Sequence, residues 1–394
     1  MGLRDEVPES RLRYAHGARL VIEFLKRGHE VSVITPCEKI RMVTSFKVGR
    51  CHVYLIPQRR TRWQLLTCHH REVMLMLRCI RECNPDVAFA QWPYMYSRAA
   101  LISGIPTLVV GRDSPWRVAH LMSSFRMWHR SIYSKLFVAP KLKNLTTISP
   151  HMVDELKSWW GKKDCAISVI PNAIPDGIVC QKPKKIKKDA TTIACVSDWN
   201  ELKNVKTLLR AFVNLHREHP NYRLVVYGAS MLPNEAAGKW MQKSGLPFDG
   251  IDLRGYGQQE DIRRFLFDEA DVFCSPSLEE SFGMVFLEAM AQGVPCLGGK
   301  RSGAVPWLLG AERDEGIEQR ENVGRENCSG AGGVVCDVSN SNEVAKGLEE
   351  LMRDSDWRRR LSENGVRRAR FVFNMDTVVT QYEKELKRVT KGIA

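Results

Sequence analysis

Short β-rich runs alternate with helical stretches along almost the whole of this chain, and no other feature restricts its fold as much. "EVSVIT" (Glu30–Thr35) follows the helical pattern "ARLVIEFLKRGH". "HVYLIP", the helical stretch "REVMLMLRCIREC" and "PDVAFAQ" come next, then "IPTLVVG", "NLTTIS" and "AISVIP". After residue 190 the order restarts with "TTIACVS", the helix "NVKTLLRAFVNLHREH", "YRLVVYG", "IDLRG", "DVFCSPS", "VPCLGG" and "GGVVCDV". Strands this short, this apolar and this regularly separated by helices predict parallel sheets covered on both faces.

The segment "PNAIPDGIVCQKPKKIKKDA" breaks the alternation with prolines, a lysine run and few apolar residues, so it reads as a linker. A chain of 394 residues is also long for one core and suits two domains. The predicted division is a Rossmann-like domain over 1–178, a linker over 179–190, a second Rossmann-like domain over 191–374, and a final amphipathic helix over 375–394. The polar, glycine-bearing region Gly310–Gly330 reads as a mobile loop.

Several function classes drop out. No apolar run reaches the roughly 18 residues of a membrane span, and the polar N-terminus lacks the apolar segment of a secretory signal, so a cytoplasmic protein is expected. Twelve cysteines occur without a CxxC pair or zinc-ligand spacing. They read as reduced thiols, and no metal site is expected. Neither GxxxxGK[ST], nor GxGxxG after a first strand, nor GxSxG occurs. The net charge of +14 favours anionic partners, concentrated as it is in the first half and in "CQKPKKIKKDA". Specific nucleic-acid binding has only that charge behind it.

The chemistry concentrates in "SPSLEESFGMVFLEAMAQGVPCLGG" (Ser275–Gly299). Open parallel sheets bind ligands beyond the carboxyl ends of their strands. Here a strand runs into a loop carrying Glu280, then into a helix whose start follows Gly283 and exposes free backbone N–H groups, a place for phosphate. Glu288 falls about two turns into that apolar helix, where a carboxylate is costly unless bonded. Lys203 stands where the helix after "TTIACV" begins and can neutralise phosphate oxygens. Together these residues describe a nucleotide-diphosphate site. The competing reading makes Glu280 a solvated loop residue, Glu288 a charge at a helix edge and Lys203 a surface lysine.

"PSLEESFGMVFLEAMAQGVP" resembles the signature of glycosyltransferase family 4, retaining enzymes of the GT-B fold. "LVIEFLKRGHEVSVIT", "NPDVAFAQW", "ISPHMVDEL", "ISVIPNAI", "KNVKTLLRAF", "LVVYG" and "ADVFCSPSLEESFG" follow in family order. The resemblance implies an α/β fold of two doubly wound Rossmann-like domains facing each other across a cleft, the N-terminal one binding the acceptor and the C-terminal one the nucleotide sugar, with the final helix crossing back to the N-terminal domain. It implies that Glu288 accepts hydrogen bonds from the donor ribose and that Glu280 contacts the donor sugar. Lys203, with the backbone amides of Ser281, Phe282, Gly283 and Met284, would hold the diphosphate. Arg112, at the position of a family histidine, becomes a catalytic candidate beside Glu280. The implied reaction moves a hexosyl group from a UDP- or GDP-linked sugar to a glycan or lipid-linked acceptor, with retention and without metal or cofactor, in polysaccharide or glycolipid synthesis. An anionic membrane surface at the inner face of the cell membrane is a further expected partner.

The sequence departs from the family pattern at Asp198, where an arginine is usual, and at Phe89 and Gln91, where histidines are usual. The first glycine-rich loop is reduced to Gly17, with no recognisable strand before it. Asp198 must then turn away from a diphosphate, or Lys300 and Arg301 must offset it. Two other readings follow: a non-catalytic GT-B protein that binds membranes or acidic polymers, and a sugar-nucleotide epimerase. Finally, "FRMWHRSIYSKLFVAPKLKN" (Phe125–Asn144) is basic and amphipathic, and could present Trp128, Ile132 and Leu136 to an anionic surface.

Overall fold

The computed structural model describes residues 16–122, 124–161, 167–174, 176–311 and 331–392. The expected loss of a first strand before Gly17, and nearly all of the predicted loop Gly310–Gly330, lie outside the described residues. The chain forms two compact units: Met1–Ala173 with Met375–Ala394, and Ile174–Asn374.

Unit 1 runs α1 (His16–Lys26), β1 (Val31–Cys37), β2 (Thr44–Val48), β3 (Cys51–Pro57), α2 (Thr61–Leu66), α3 (His70–Cys83), β4 (Ala88–Gln91), α4 (Met95–Ser103), β5 (Thr107–Gly111), α5 (Pro115–Met122), α6 (Phe125–Tyr133), β6 (Asn144–Thr147), α7 (His151–Trp160) and β7 (Ile167–Val169). Helix α6 runs on into a π-helical turn, Ser134–Val138. Strands β4-β5-β6-β7 form a parallel sheet in that order. Strands β1-β3-β2 form another, in which β2 pairs antiparallel with β3. An all-parallel arrangement was expected, and β2 departs from it. Its residues "TSFKV" are mostly exposed, and an edge strand with one open face suits antiparallel pairing. Strand β5, by contrast, is buried throughout and packs with Met152 and Leu156 of α7.

Unit 2 runs β8 (Thr192–Val196), α8 (Val205–Glu218), β9 (Arg223–Tyr227), α9 (Ala236–Lys243), β10 (Ile251–Arg254), α10 (Gln259–Asp268), β11 (Val272–Cys274), α11 (Met284–Ala291), β12 (Cys296–Gly299), α12 (Val305–Leu309), β13 (Gly333–Cys336), α13 (Ser341–Arg353) and α14 (Ser355–Phe371). Its six strands are all parallel, in the order β10-β9-β8-β11-β12-β13. Counted within the unit, that is 3-2-1-4-5-6, the dinucleotide-fold order whose direction reverses between β8 and β11. Both of these strands are almost wholly buried, with helices supplying the apolar cover on each face.

The last helix, α15 (Met375–Lys391), belongs to unit 1. Tyr382 is fully buried there against Phe89, and Arg27 donates to Glu383 (2.9 Å) and to the Asp376 carbonyl (2.9 Å).

The stretch expected to be a linker is instead fixed to unit 2. The Cys180 N–H donates to the Ala291 carbonyl, Lys184 is 9% exposed, and Arg358 clamps the carbonyls of Lys187 (2.7 Å) and Lys188 (3.1 Å). Its lysines suggested solvent, but a cation can also satisfy buried carbonyls. The Lys184 ammonium donates to Leu266 and Phe267 oxygens, and burial pulls its pKa down to about 8.

Candidate functional site

The reversal point of the unit 2 sheet sets the site. Beyond β8 the chain enters Ser197–Asn204, and beyond β11 it enters Ser275–Gly283. The two loops are joined where the Leu278 N–H donates to the Leu202 carbonyl at 2.8 Å. Lys203 is oriented at its backbone by the Asn200 side chain (3.0 Å), and its Nζ reaches Glu280 Oε1 at 2.5 Å. Glu280 is held in turn by its carbonyl, which accepts the Ala304 N–H at 2.9 Å. Lys203 and Glu280, far apart in sequence, thus face one another at the position where such sheets bind ligands, both partly screened from water.

Helix α11 starts beside them. Its N-cap, Gly283, has φ 95°, and an added Cβ there would press on Phe286 and Leu308. No side chain caps the helix, and the N–H groups of Gly283, Met284 and Val285 have no acceptor among the described residues. These donors and the positive end of the helix dipole suit an anion. Phe282 is 3% exposed, its ring packed on Trp307 and Phe373.

Glu288 is the fifth residue of α11, little more than one turn in rather than two. It is partly exposed, and Gln259 at the start of α10 donates to its Oε1 at 3.2 Å. Gln259 escapes sequence reading because nothing in "GYGQQE" marks one glutamine as facing another helix. Asp198 does turn aside: its Oδ1 accepts the Ala229 N–H at 3.0 Å, on the β9 side of β8. Gly228 permits this close passage, since a Cβ there would collide with the Ser197 carbonyl. Lys300 and Arg301 lie near Asp337, whose carboxyl is held low mainly by hydrogen bonds from Ser339 and in smaller part by these two cations.

Arg112 belongs to unit 1, just beyond β5. It is 8% exposed, donating from Nε to Gln91 (2.6 Å) and from one terminal nitrogen to Asn172 (2.6 Å); its other terminal nitrogen has no partner among the described residues. Burial pulls its pKa down. Gln91 and Arg112, both at unusual family positions, are therefore partners. Among the described residues no group of His, Cys, Asp and Glu could hold a metal, and no helix is long and apolar enough to cross a membrane.

Comparison with known proteins agrees over most of the chain. The model described as "Glycosyl transferases group 1" matches residues 180–368, and "Glycosyltransferase Family 4" matches residues 15–177. The MMP α-(1→4)-mannosyltransferase of Mycolicibacterium hassiacum is 26% identical over 268 residues, which cover 67% of this chain and 59% of that protein. The chain thus spans less than two thirds of that relative. Among solved structures, sucrose-phosphate synthase from Thermosynechococcus elongatus superposes with a TM-score of 0.74 at 16% identity, covering 96% of this chain and 93% of that one. Anabaena HepE, solved with UDP and glucose, gives a TM-score of 0.62 at 16% identity and 86% coverage of each chain. At such identities the likeness speaks for the GT-B fold.

Proposed function

The chain belongs to the group 1 and family 4 glycosyltransferases, and from that premise we propose that it moves a hexosyl group from a nucleotide-diphosphate sugar to an acceptor hydroxyl with retention of configuration. The observation that carries this reading is the pairing of Lys203 with Glu280 beside the uncapped start of α11, at the reversal point of the sheet. The diphosphate would take Lys203 as a counter-charge and the amides of Ser281 to Met284 as donors. These groups are fixed before the ligand arrives, so they can offset charge developing on the leaving diphosphate without a metal. Glu280, released from Lys203, would accept a donor-sugar hydroxyl. Glu288, held at one oxygen by Gln259, would accept the ribose hydroxyls. Arg112, the other catalytic candidate, carries its charge on a guanidinium fixed within unit 1 by Gln91 and Asn172.

Titration calorimetry with UDP and GDP tests the donor half. One of them should bind, and Lys203→Ala should weaken it about 10- to 100-fold, the range of a charge-assisted hydrogen bond. Glu288→Ala should weaken it by a similar factor. If neither nucleotide binds, or both variants bind like the parent, the donor assignment fails.

A membrane-linked acceptor is supported by one surface. Phe125 (76% exposed), Ile132 (50%) and Leu136 (61%) form a stripe along α6 and its π-turn. Trp63 and Leu66 of α2 are exposed nearby, where the Leu65 carbonyl meets His129 Nε2 at 3.1 Å. Arg60, Arg62, Arg126 and Lys135 stand among them. Trp128, expected in this stripe, packs instead on Trp116. Apolar anchors ringed by cations suit an anionic bilayer. The protein should float with phosphatidylglycerol vesicles but not phosphatidylcholine ones, and Phe125→Asp with Leu136→Asp should abolish flotation. Equal flotation with both lipids, or in the double variant, removes this surface from the account.

A further inference from the structure

Unit 2 carries a second cluster, at the opposite end of α11 from the donor assignment. A pocket of about 460 Å³ lies between residues 180–186 and α14. Small-molecule sites span roughly 300–1,000 Å³. Its walls are fixed. The Cys180 N–H donates to the carbonyl of Ala291, the last residue of α11 (2.8 Å), and the Gln292 side chain donates to the Ile178 carbonyl (2.6 Å). Gly293 has φ 72°, and a Cβ there would meet Lys184 Cβ and Ser362 Oγ at 3.0 Å each, so glycine lets the segment and α14 pack this close.

The charge of the pocket is one-sided. On α14, Arg359, Glu363, Arg367 and Arg370 recur at helical spacing, and all line it. Lys182 lines it from the other segment. Arg359 reaches Asp356 (2.6 Å), and Arg370 gives one nitrogen to the Cys180 carbonyl (3.0 Å). Lys182 and Arg367 form no ion pair among the described residues, although Glu363 stands one turn from Arg367. The lining also includes the apolar Ile186, Val366 and Phe371, the last of them 57% exposed. Basic residues near a helix C-terminus favour its dipole, which accounts in part for Arg367 and Arg370. It does not account for Lys182, brought to the same pocket from another element against the repulsion of like charges. A solvated basic face would account for the charge, but not for a fixed cavity with apolar walls.

We propose that this pocket binds a phosphate monoester with an apolar body, its phosphate held by Lys182, Arg367 and Arg370 and its apolar part against Val366 and Phe371. Guanidinium groups match phosphate oxygens in pairs, and an ammonium adds a point charge. The pocket stands apart from the donor assignment and does not depend on it.

Titration calorimetry of the full chain with phenyl phosphate tests it, with inorganic phosphate and benzyl alcohol as comparisons. Phenyl phosphate should bind about five-fold tighter than inorganic phosphate, the scale of one aromatic contact. Benzyl alcohol, which lacks the charge, should show no binding. Arg367→Gln and Lys182→Gln should each weaken phenyl phosphate about ten-fold, the lower end for a charge-assisted hydrogen bond. Phe371→Ser should erase the advantage over inorganic phosphate. Lys203→Ala should bind phenyl phosphate like the parent, and Arg367→Gln should bind UDP like the parent. The ester can be free or part of a lipid, and flotation with phosphatidic acid vesicles in the Phe125→Asp, Leu136→Asp background separates the two. Flotation lost on adding Arg367→Gln assigns a lipid headgroup; phenyl phosphate binding without flotation assigns a free ester. Neither binding nor flotation overturns the pocket. So does phenyl phosphate binding that Lys203→Ala abolishes, or that Arg367→Gln and Lys182→Gln leave intact in proteins that melt like the parent. Arg367-dependent binding of poly-glutamate without phenyl phosphate also overturns it, in favour of an acidic peptide. UDP that fails to bind the parent overturns the donor assignment and leaves this pocket standing.

Discussion

Lys203 and Glu280 were legible as separate signals, one before a helix and one in a loop, but their contact at 2.5 Å was not. Sequence reading assigns each to a different part of a ligand. The structure has them neutralise one another. Other residues are silent in the sequence because their role depends on burial. The left-handed φ of Trp92 and the raised carboxyl of Asp113 arise only in the folded chain. Arg358 is the sharpest case. It is 1% exposed, and its guanidinium donates to the carbonyls of Leu351 (2.6 Å), Met352 (2.5 Å), Lys187 (2.7 Å) and Lys188 (3.1 Å). Arg358→Leu would leave four carbonyls without this donor, each buried acceptor costing on the order of 1–3 kcal/mol when water cannot replace it. A loss of about 3 kcal/mol in unfolding free energy is expected by urea denaturation, together with faster proteolysis within residues 181–189. Unchanged cleavage there would mean that the clamp does not hold the segment.

At the scale of elements, strands such as β5, β8 and β11 were readable because they are short apolar runs that are buried almost throughout, and the helices because their apolar stripes repeat at helical spacing. Strand β2 was missed because "TSFKV" is half polar and shows little more than its pairing with β3. The segment 179–190 was misread because lysines and prolines look solvent-loving until their carbonyls find Arg358. Helix α3 carries a pH dependence of its own. His69, at its N-cap with φ 55°, is pushed down to about 4, first by burial and next by His129. An unfolded histidine titrates near 6.5. Between those values the unfolded chain takes up a proton that the folded chain refuses, so stability falls as pH drops from about 6.5 toward 4. Asparagine tolerates left-handed backbone. The denaturation midpoint should therefore fall less between pH 7 and pH 5 in His69→Asn than in the parent, and equal falls would exclude His69 as the source.

For the molecule as a whole, the two-part organisation was visible from the restart of the strand–helix alternation. The first point of division was not, since the compact units part at Ala173/Ile174 rather than after 178, whereas the second, Asn374/Met375, falls where the sequence reading began the final helix. The final helix completes unit 1, where Glu383 takes both Arg27 and His29 (2.7 Å) and Ser168 donates to Glu385 (3.1 Å). Burial alone would raise the Glu383 carboxyl, but His29 and Arg27 outweigh it and hold it low. Removing residues 375–394 would expose the cavity left by Tyr382. Hydrogen exchange should then quicken in β4 and β5 and stay unchanged in β8 and β9; equal loss of protection in both units would contradict the division. The sequence by itself determined the parallel α/β class, the family, and the loop and helix that carry Glu280 and Glu288, because these are written in local periodicity and spacing. Only the tertiary structure decided strand order, the Lys203–Glu280 pairing, the anchoring of the lysine-rich segment and the strained Trp92 turn. Each of those depends on which distant groups share a buried environment, and burial is what sets the cost of leaving a charge or a carbonyl unpaired.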